Sequence, residues 1–162
     1  MTRLLSLAIV AALATGCAAS RQVSLKSDAR LIGGTEVETK VTVPEGWFIS
    51  TKRADRLEAT GPDNFSRLSV SLSSVLIDDV ACQAAAAREA KEAAKKAAAG
   101  RDIQAEITAG PTPDVTVFKQ VVPASPPGPS DRLVLGRAMC RNRSLVVAVC
   151  SSSMKRAEMN EA

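Results

Sequence analysis

Few residue types in this chain can do acid–base or nucleophilic chemistry. The 162 residues contain no histidine and no tyrosine, which excludes an imidazole base, a histidine-containing triad, a histidine metal ligand and a phenolic acid. Ser152 and Lys155 have the spacing of a serine nucleophile and a lysine base, but they follow the last predicted strand, and we interpret the spacing as chance. We predict no catalytic residue, no metal site and no cofactor.

Adjacent carboxylates at Asp78 and Asp79 are a second candidate, as a metal site or an acid–base pair. They stand where a predicted strand gives way to an alanine-rich helix that Gly100 can close. An aspartate at such a junction accepts hydrogen bonds from the first N–H groups of the helix and interacts favourably with its dipole. We therefore interpret the pair as a helix cap.

Cysteines are the remaining reactive residues. Residues 133–150 predict a terminal β-hairpin with a two-residue loop at Asn142 and Arg143. In this register Cys140 and Cys150 lie five pairs apart, or about 17 Å at about 3.4 Å per residue. Bonded cysteines have Cα atoms within about 7 Å, so the hairpin excludes a disulfide between these two.

The same register predicts which face of the hairpin a helix covers. The more uniformly apolar face holds Val134, Ala138, Cys140, Leu145, Val147 and Val149. Because Cys82 belongs to the predicted helix, we favour a disulfide between Cys82 and Cys140 in an exported chain. Three buried free thiols are the alternative, and a zinc site lacks the paired spacing that it needs.

The N-terminus has the pattern of a secretory signal peptide. Arg3 is followed by an apolar run over residues 4–13 that ends in small residues. The run is too short to span a bilayer permanently, since a helix needs about twenty residues. We predict that residues 1–16 are removed.

Residues 13–18 resemble the lipobox of bacterial lipoproteins, in which a small residue precedes an acylated cysteine. Gly16 and Cys17 match that pattern, while Ala14 replaces its usual leucine. The resemblance implies that Cys17 becomes the first residue, that its acyl chains hold the protein on a membrane, and that Ala18 favours the outer membrane. An ordinary secreted protein cleaved nearby is the alternative.

Charge and aromatic content argue against a nucleic-acid partner. The chain has 21 basic and 17 acidic residues, interspersed rather than blocked. Removal of Arg3 with the signal leaves a formal charge of +3. Only Trp47 and three phenylalanines are present to stack on bases. We predict no nucleic-acid binding.

Hydrophobic patterns divide the mature chain into three parts. Residues 17–34 are mainly polar, and we interpret them as a tether from the acylated cysteine. Residues 35–153 alternate polar and apolar side chains in several segments around one long helix, which predicts a single α+β domain with an antiparallel sheet of about six strands. Residues 154–162 form a polar tail.

The order of elements resembles the PsbP-like α/β/α fold of photosystem extrinsic proteins, Ran-binding Mog proteins and many bacterial lipoproteins. The segment Pro44, Gly46 and Trp47 carries the resemblance, followed by a hairpin at residues 61–63 and the long helix. Members of that family mostly bind protein partners and share no active site, so the resemblance implies no catalytic residue. Trp47 is then a core anchor that covers the sheet.

Two classes of function follow from these patterns. The first is a non-catalytic, membrane-anchored lipoprotein that binds or supports another envelope protein on the periplasmic or surface side. The second is a secreted or periplasmic hydrolase that uses carboxylates or a free cysteine. We favour the first, because Cys150 without a histidine is a poor nucleophile.

Overall fold

The computed structural model describes residues 20–27, 37–74, 79–124, 130–141 and 143–154. These residues form nine strands and one α-helix. In chain order they are β1 (Ser20–Lys26), β2 (Glu38–Pro44), β3 (Phe48–Lys52), β4 (Arg56–Thr60), β5 (Arg67–Ser74), α1 (Asp79–Ala97), β6 (Glu106–Ala109), β7 (Val115–Val122), β8 (Arg132–Arg141) and β9 (Ser144–Ser153).

Seven of the strands form one antiparallel sheet in the order β3-β4-β5-β9-β8-β7-β6. Polar and apolar side chains alternate along the strands, as expected for a sheet with a buried face. In β5, Leu68, Val70 and Leu72 are buried between polar neighbours. The α+β class with one large antiparallel sheet is confirmed. The sheet has seven strands rather than about six.

Helix α1 packs on β7, β8 and β9 through small side chains. Ala86, Ala90 and Ala94 recur every fourth residue and are buried against the sheet. The helix begins at Asp79 and ends at Ala97, and positive φ angles at Ala99 and Gly100 turn the chain away from it. Asp78 lies outside the described residues. The predicted helix-covered face is confirmed, because all six of its residues belong to the cluster beneath α1.

The opposite face of the sheet is covered by β1 and β2, which form a separate two-stranded sheet. Val23 and Leu25 on β1 are 2% and 0% exposed and join the core with Val41 and Val43 of β2. The tether predicted at residues 17–34 is therefore wrong over Ser20–Lys26, which form a strand. Two aliphatic residues among polar ones are enough to bury one side of a strand when a partner strand pairs with it. The described part of the domain begins at Ser20.

A second helical layer, implied by the α/β/α resemblance, is also corrected. In the part of the chain that the structure describes, the face opposite α1 is covered by strands β1 and β2. The described ranges contain no helix long and apolar enough to span a membrane.

Candidate functional site

Cys82 and Cys140 form a disulfide that ties α1 to the sheet. Cys82 lies in the first turns of α1 and Cys140 near the end of β8, with their Cα atoms 5.2 Å apart. Both side chains are almost fully buried. The predicted hairpin register is confirmed, since Cys140 pairs with Leu145 and Leu135 with Cys150.

Cys150 is the free thiol among the described cysteines, and it lies on the other face of the sheet from the disulfide. It packs against the core beneath β1 and β2, and this burial raises the pKa of its thiol. Thiol–disulfide exchange with Cys82 or Cys140 would have to cross the sheet. The geometry therefore assigns Cys150 to packing rather than to redox chemistry.

Alkylation of Cys150 is expected to be much slower in the native protein than in the guanidine-unfolded chain at the same mildly alkaline pH. The reason is the raised pKa together with partial burial. Because the folded state holds the thiol proton more tightly, the free energy of unfolding should decrease as pH rises above the ordinary thiol pKa. Timed labelling with a chromogenic disulfide measures the rate, and equal rates in the two states would refute the assignment.

Trp47 packs against the core at one end of the domain and stays partly exposed. It closes a turn in which its N–H donates to the Pro44 carbonyl oxygen at 3.3 Å and Gly46 has a φ of 78°. Its ring meets the core cluster of the β1–β2 face. The indole thus covers the edge of the sheet rather than its centre.

A hollow of about 280 Å³ lies beside this ring. Its walls come from the start of β1, the end of β2 and the turn between β2 and β3, and include Ser20, Arg21, Glu45 and Ile49. It is shallow and open, which suits surface contact more than the enclosure of a small ligand.

A larger groove of about 340 Å³ runs between the C-terminal half of α1 and the edge strand β6. Its apolar side chains are Ala94, Ile103, Ala105 and Ile107; its charged ones are Lys91, Lys95, Arg101 and Asp102. The guanidinium of Arg101 donates to the carbonyl oxygens of Ala98 (3.3 Å) and Pro123 (2.7 Å). The arrangement is an apolar strip with a mainly basic rim.

Gln120 on β7 contacts α1 from the face of the sheet that the helix covers. It is buried, and its Nε2 donates to the Ala94 carbonyl oxygen at 2.8 Å. Ala94 O also accepts from Ala98 N within the helix end, so the Gln120 bond is the one that links the last turns of α1 to the sheet. The groove therefore has a rigid wall.

Carboxylates are dispersed in the described ranges, where no three histidine, cysteine or acidic residues come together as a metal site. Glu58 accepts from Thr51 Oγ1 at 3.0 Å and from Arg56 at 2.5 Å, and these two bonds lower the pKa of its carboxyl. The Thr51 contact pairs β3 with β4, and the Arg56 contact lies within β4 on the same polar side. Cys17 and Lys155 lie outside the described residues.

Comparison with solved structures gives a similarity of fold. No protein-family model and no curated protein matches the chain. The chain is similar to the solution structure of cyanobacterial PsbP (CyanoP) from Synechocystis sp. PCC 6803. The TM-score is 0.46 at 14% sequence identity, over 91% of this chain and 88% of that one. At this TM-score and identity the match carries no argument about ligand, partner or activity.

Proposed function

We propose that this protein is an exported lipoprotein, held on a bacterial outer membrane by acyl chains on Cys17, whose domain is non-catalytic and binds or supports another envelope protein. The Cys82–Cys140 disulfide is the observation that carries the proposal. Disulfides persist in oxidising compartments such as the periplasm and are rare in the cytosol. The signal-like N-terminus supports the same compartment.

The start of the fold supports anchoring at close range. Ser20 already pairs with Pro44, so only Ala18 and Ala19 separate Cys17 from the first strand. A chain of three residues spans at most about 10 Å. Acyl chains on Cys17 would hold the domain against the membrane rather than on a long tether.

The groove between α1 and β6 is the surface on which we place the protein partner. Its apolar strip offers contact area, and Lys91 and Lys95 on its rim are exposed. An apolar segment flanked by acidic residues complements both features. The Gln120 bond already holds the helical wall of the groove, so binding would cost little conformational entropy there.

Replacement of Cys17 by alanine is expected to abolish acylation and release the protein from the membrane fraction. The acyl chains on Cys17 would supply the buried methylenes that hold the protein on the membrane. The measurement is incorporation of labelled palmitate, with fractionation, in a bacterial host that expresses the full chain. The Cys150→Ala variant is the matched control and should label normally; labelling that survives Cys17→Ala would contradict the proposal.

A separate crosslinking experiment tests the groove as the partner surface. A photoreactive residue at position 95 should crosslink to an envelope protein in intact cells. The same residue at position 40, an exposed lysine on β2, should not. Equal crosslinking at both positions would argue against the groove.

A further inference from the structure

Three of the four aromatic residues of the chain lie at one end of the domain. Trp47 and Phe48 lead into β3, and Phe65 lies in the turn between β4 and β5. Phe48 is 71% exposed and Phe65 56% exposed, which is unusual for large apolar side chains. We call Trp47, Phe48 and Phe65 the aromatic end.

Two hydrogen-bonded turns hold the aromatic end in place. In the β4–β5 turn Gly61 N donates to Ser66 O at 2.9 Å, and Asp63 Oδ1 accepts from Ser66 N at 2.9 Å and Phe65 N at 3.2 Å. A Cβ at Gly61 would lie 3.5 Å from the Trp47 ring, so the two turns are in contact. Phe48 pairs with Thr60, the last residue before Gly61. The exposed rings are thus displayed on a rigid support.

The N-terminal strand begins at this same end. Ser20 pairs with Pro44, and both line the hollow beside Trp47. At most about 10 Å of chain separates Cys17 from Ser20. Acyl chains on Cys17 would therefore be attached close to the hollow beside Trp47.

The chemistry of the aromatic end suits a phospholipid surface. Tryptophan and phenylalanine rings partition to the boundary between headgroups and acyl chains. Arg21, also exposed, lines the hollow with Trp47, and exposed Arg67 donates to Thr60 Oγ1 beside Phe48. Two guanidinium groups next to the rings can approach lipid phosphates.

We propose that the aromatic end docks on the phospholipid bilayer that holds the acyl chains of Cys17, so that the domain has one fixed orientation on the membrane. This inference rests on the proposed anchoring. It adds a protein contact with the bilayer to the acyl chains of Cys17. The groove between α1 and β6 lies at the other edge of the sheet, six strands from β3.

The test uses the single tryptophan as a reporter. Full-length mature protein, with acylation verified by intact mass, is reconstituted into phosphatidylethanolamine–phosphatidylglycerol vesicles that carry a headgroup-level spin-labelled lipid. Trp47 fluorescence should be quenched by the lipid label and shielded from aqueous acrylamide. The Phe48→Ser, Phe65→Ser double variant should lose most of the lipid quenching. Val121→Ser, another exposed apolar residue five strands from β3, is the matched control and should keep it.

The outcomes separate the anchor from the docking. An acylated protein whose Trp47 is not quenched by the lipid label would overturn the docking and leave the anchor intact. An unacylated mass would overturn the anchor and the docking with it. Shielding of Trp47 that grows with protein concentration in the absence of quenching by lipid would indicate a second copy on the aromatic end and also overturn the docking.

Discussion

Replacing Cys82 and Cys140 together by alanine is expected to lower the free energy of unfolding by about 4 kcal/mol. The bond closes a loop with a sequence separation of 58 residues, and opening that loop returns chain entropy to the unfolded state. Since α1 rests on the sheet mainly through alanines, little other apolar area replaces the lost link. Guanidinium unfolding followed by Trp47 fluorescence measures the change.

The Cys150→Ala variant is the control, because it removes a partly buried thiol and leaves the disulfide in place. It should unfold within about 1 kcal/mol of the native protein, because it removes only a small side chain from a partly buried position. A double variant no less stable than Cys150→Ala would show that the bond adds nothing to stability.

Replacing Gly136 by alanine is expected to destabilise the fold by about 2 kcal/mol, in the range of core overpacking. A Cβ at Gly136 on β8 would lie 2.0 Å from Cε1 and 2.1 Å from Cζ of Phe118, its cross-strand partner on β7. Phe118 is 2% exposed and packs under α1, so the ring has little room to move away from the new methyl group. Equilibrium unfolding measures the loss.

A double-variant cycle isolates that contact. In a Phe118→Leu background the smaller side chain leaves room for the new methyl group, and Gly136→Ala should then cost less than in the native protein. An equal cost in both backgrounds would show that the Phe118 ring is not the cause.

The C-terminal half of the fold could be predicted because its signals are local. Alternation over residues 133–150 and a short loop predict the register, and alanine between Asp79 and Gly100 predicts the helix. Together they place Cys140 under the helix and Cys150 on the other face, as the structure has them. Each of these inferences depends on residues a few positions apart.

Strand β1 could not be predicted in the same way. Its sequence, SRQVSLK, has only Val23 and Leu25 as apolar residues, and its burial depends on β2, more than ten residues later. The same holds for the surfaces that we assign to function. Lys91 and Lys95 are four residues apart, a spacing that is common on any solvent-exposed helix face. The groove exists only because β6 packs beside them. The exposure of Phe48 follows from its position at the edge of the sheet.

Intact mass of the native protein from the membrane fraction tests both the lipid anchor and the disulfide. We expect residues 17–162 plus acyl chains, with one cysteine open to alkylation in denaturant before reduction and three after it, since Cys82 and Cys140 are bonded and Cys150 is free. A protein without acyl chains, or one that lacks Cys17, would contradict the anchored, disulfide-bearing domain proposed for this chain.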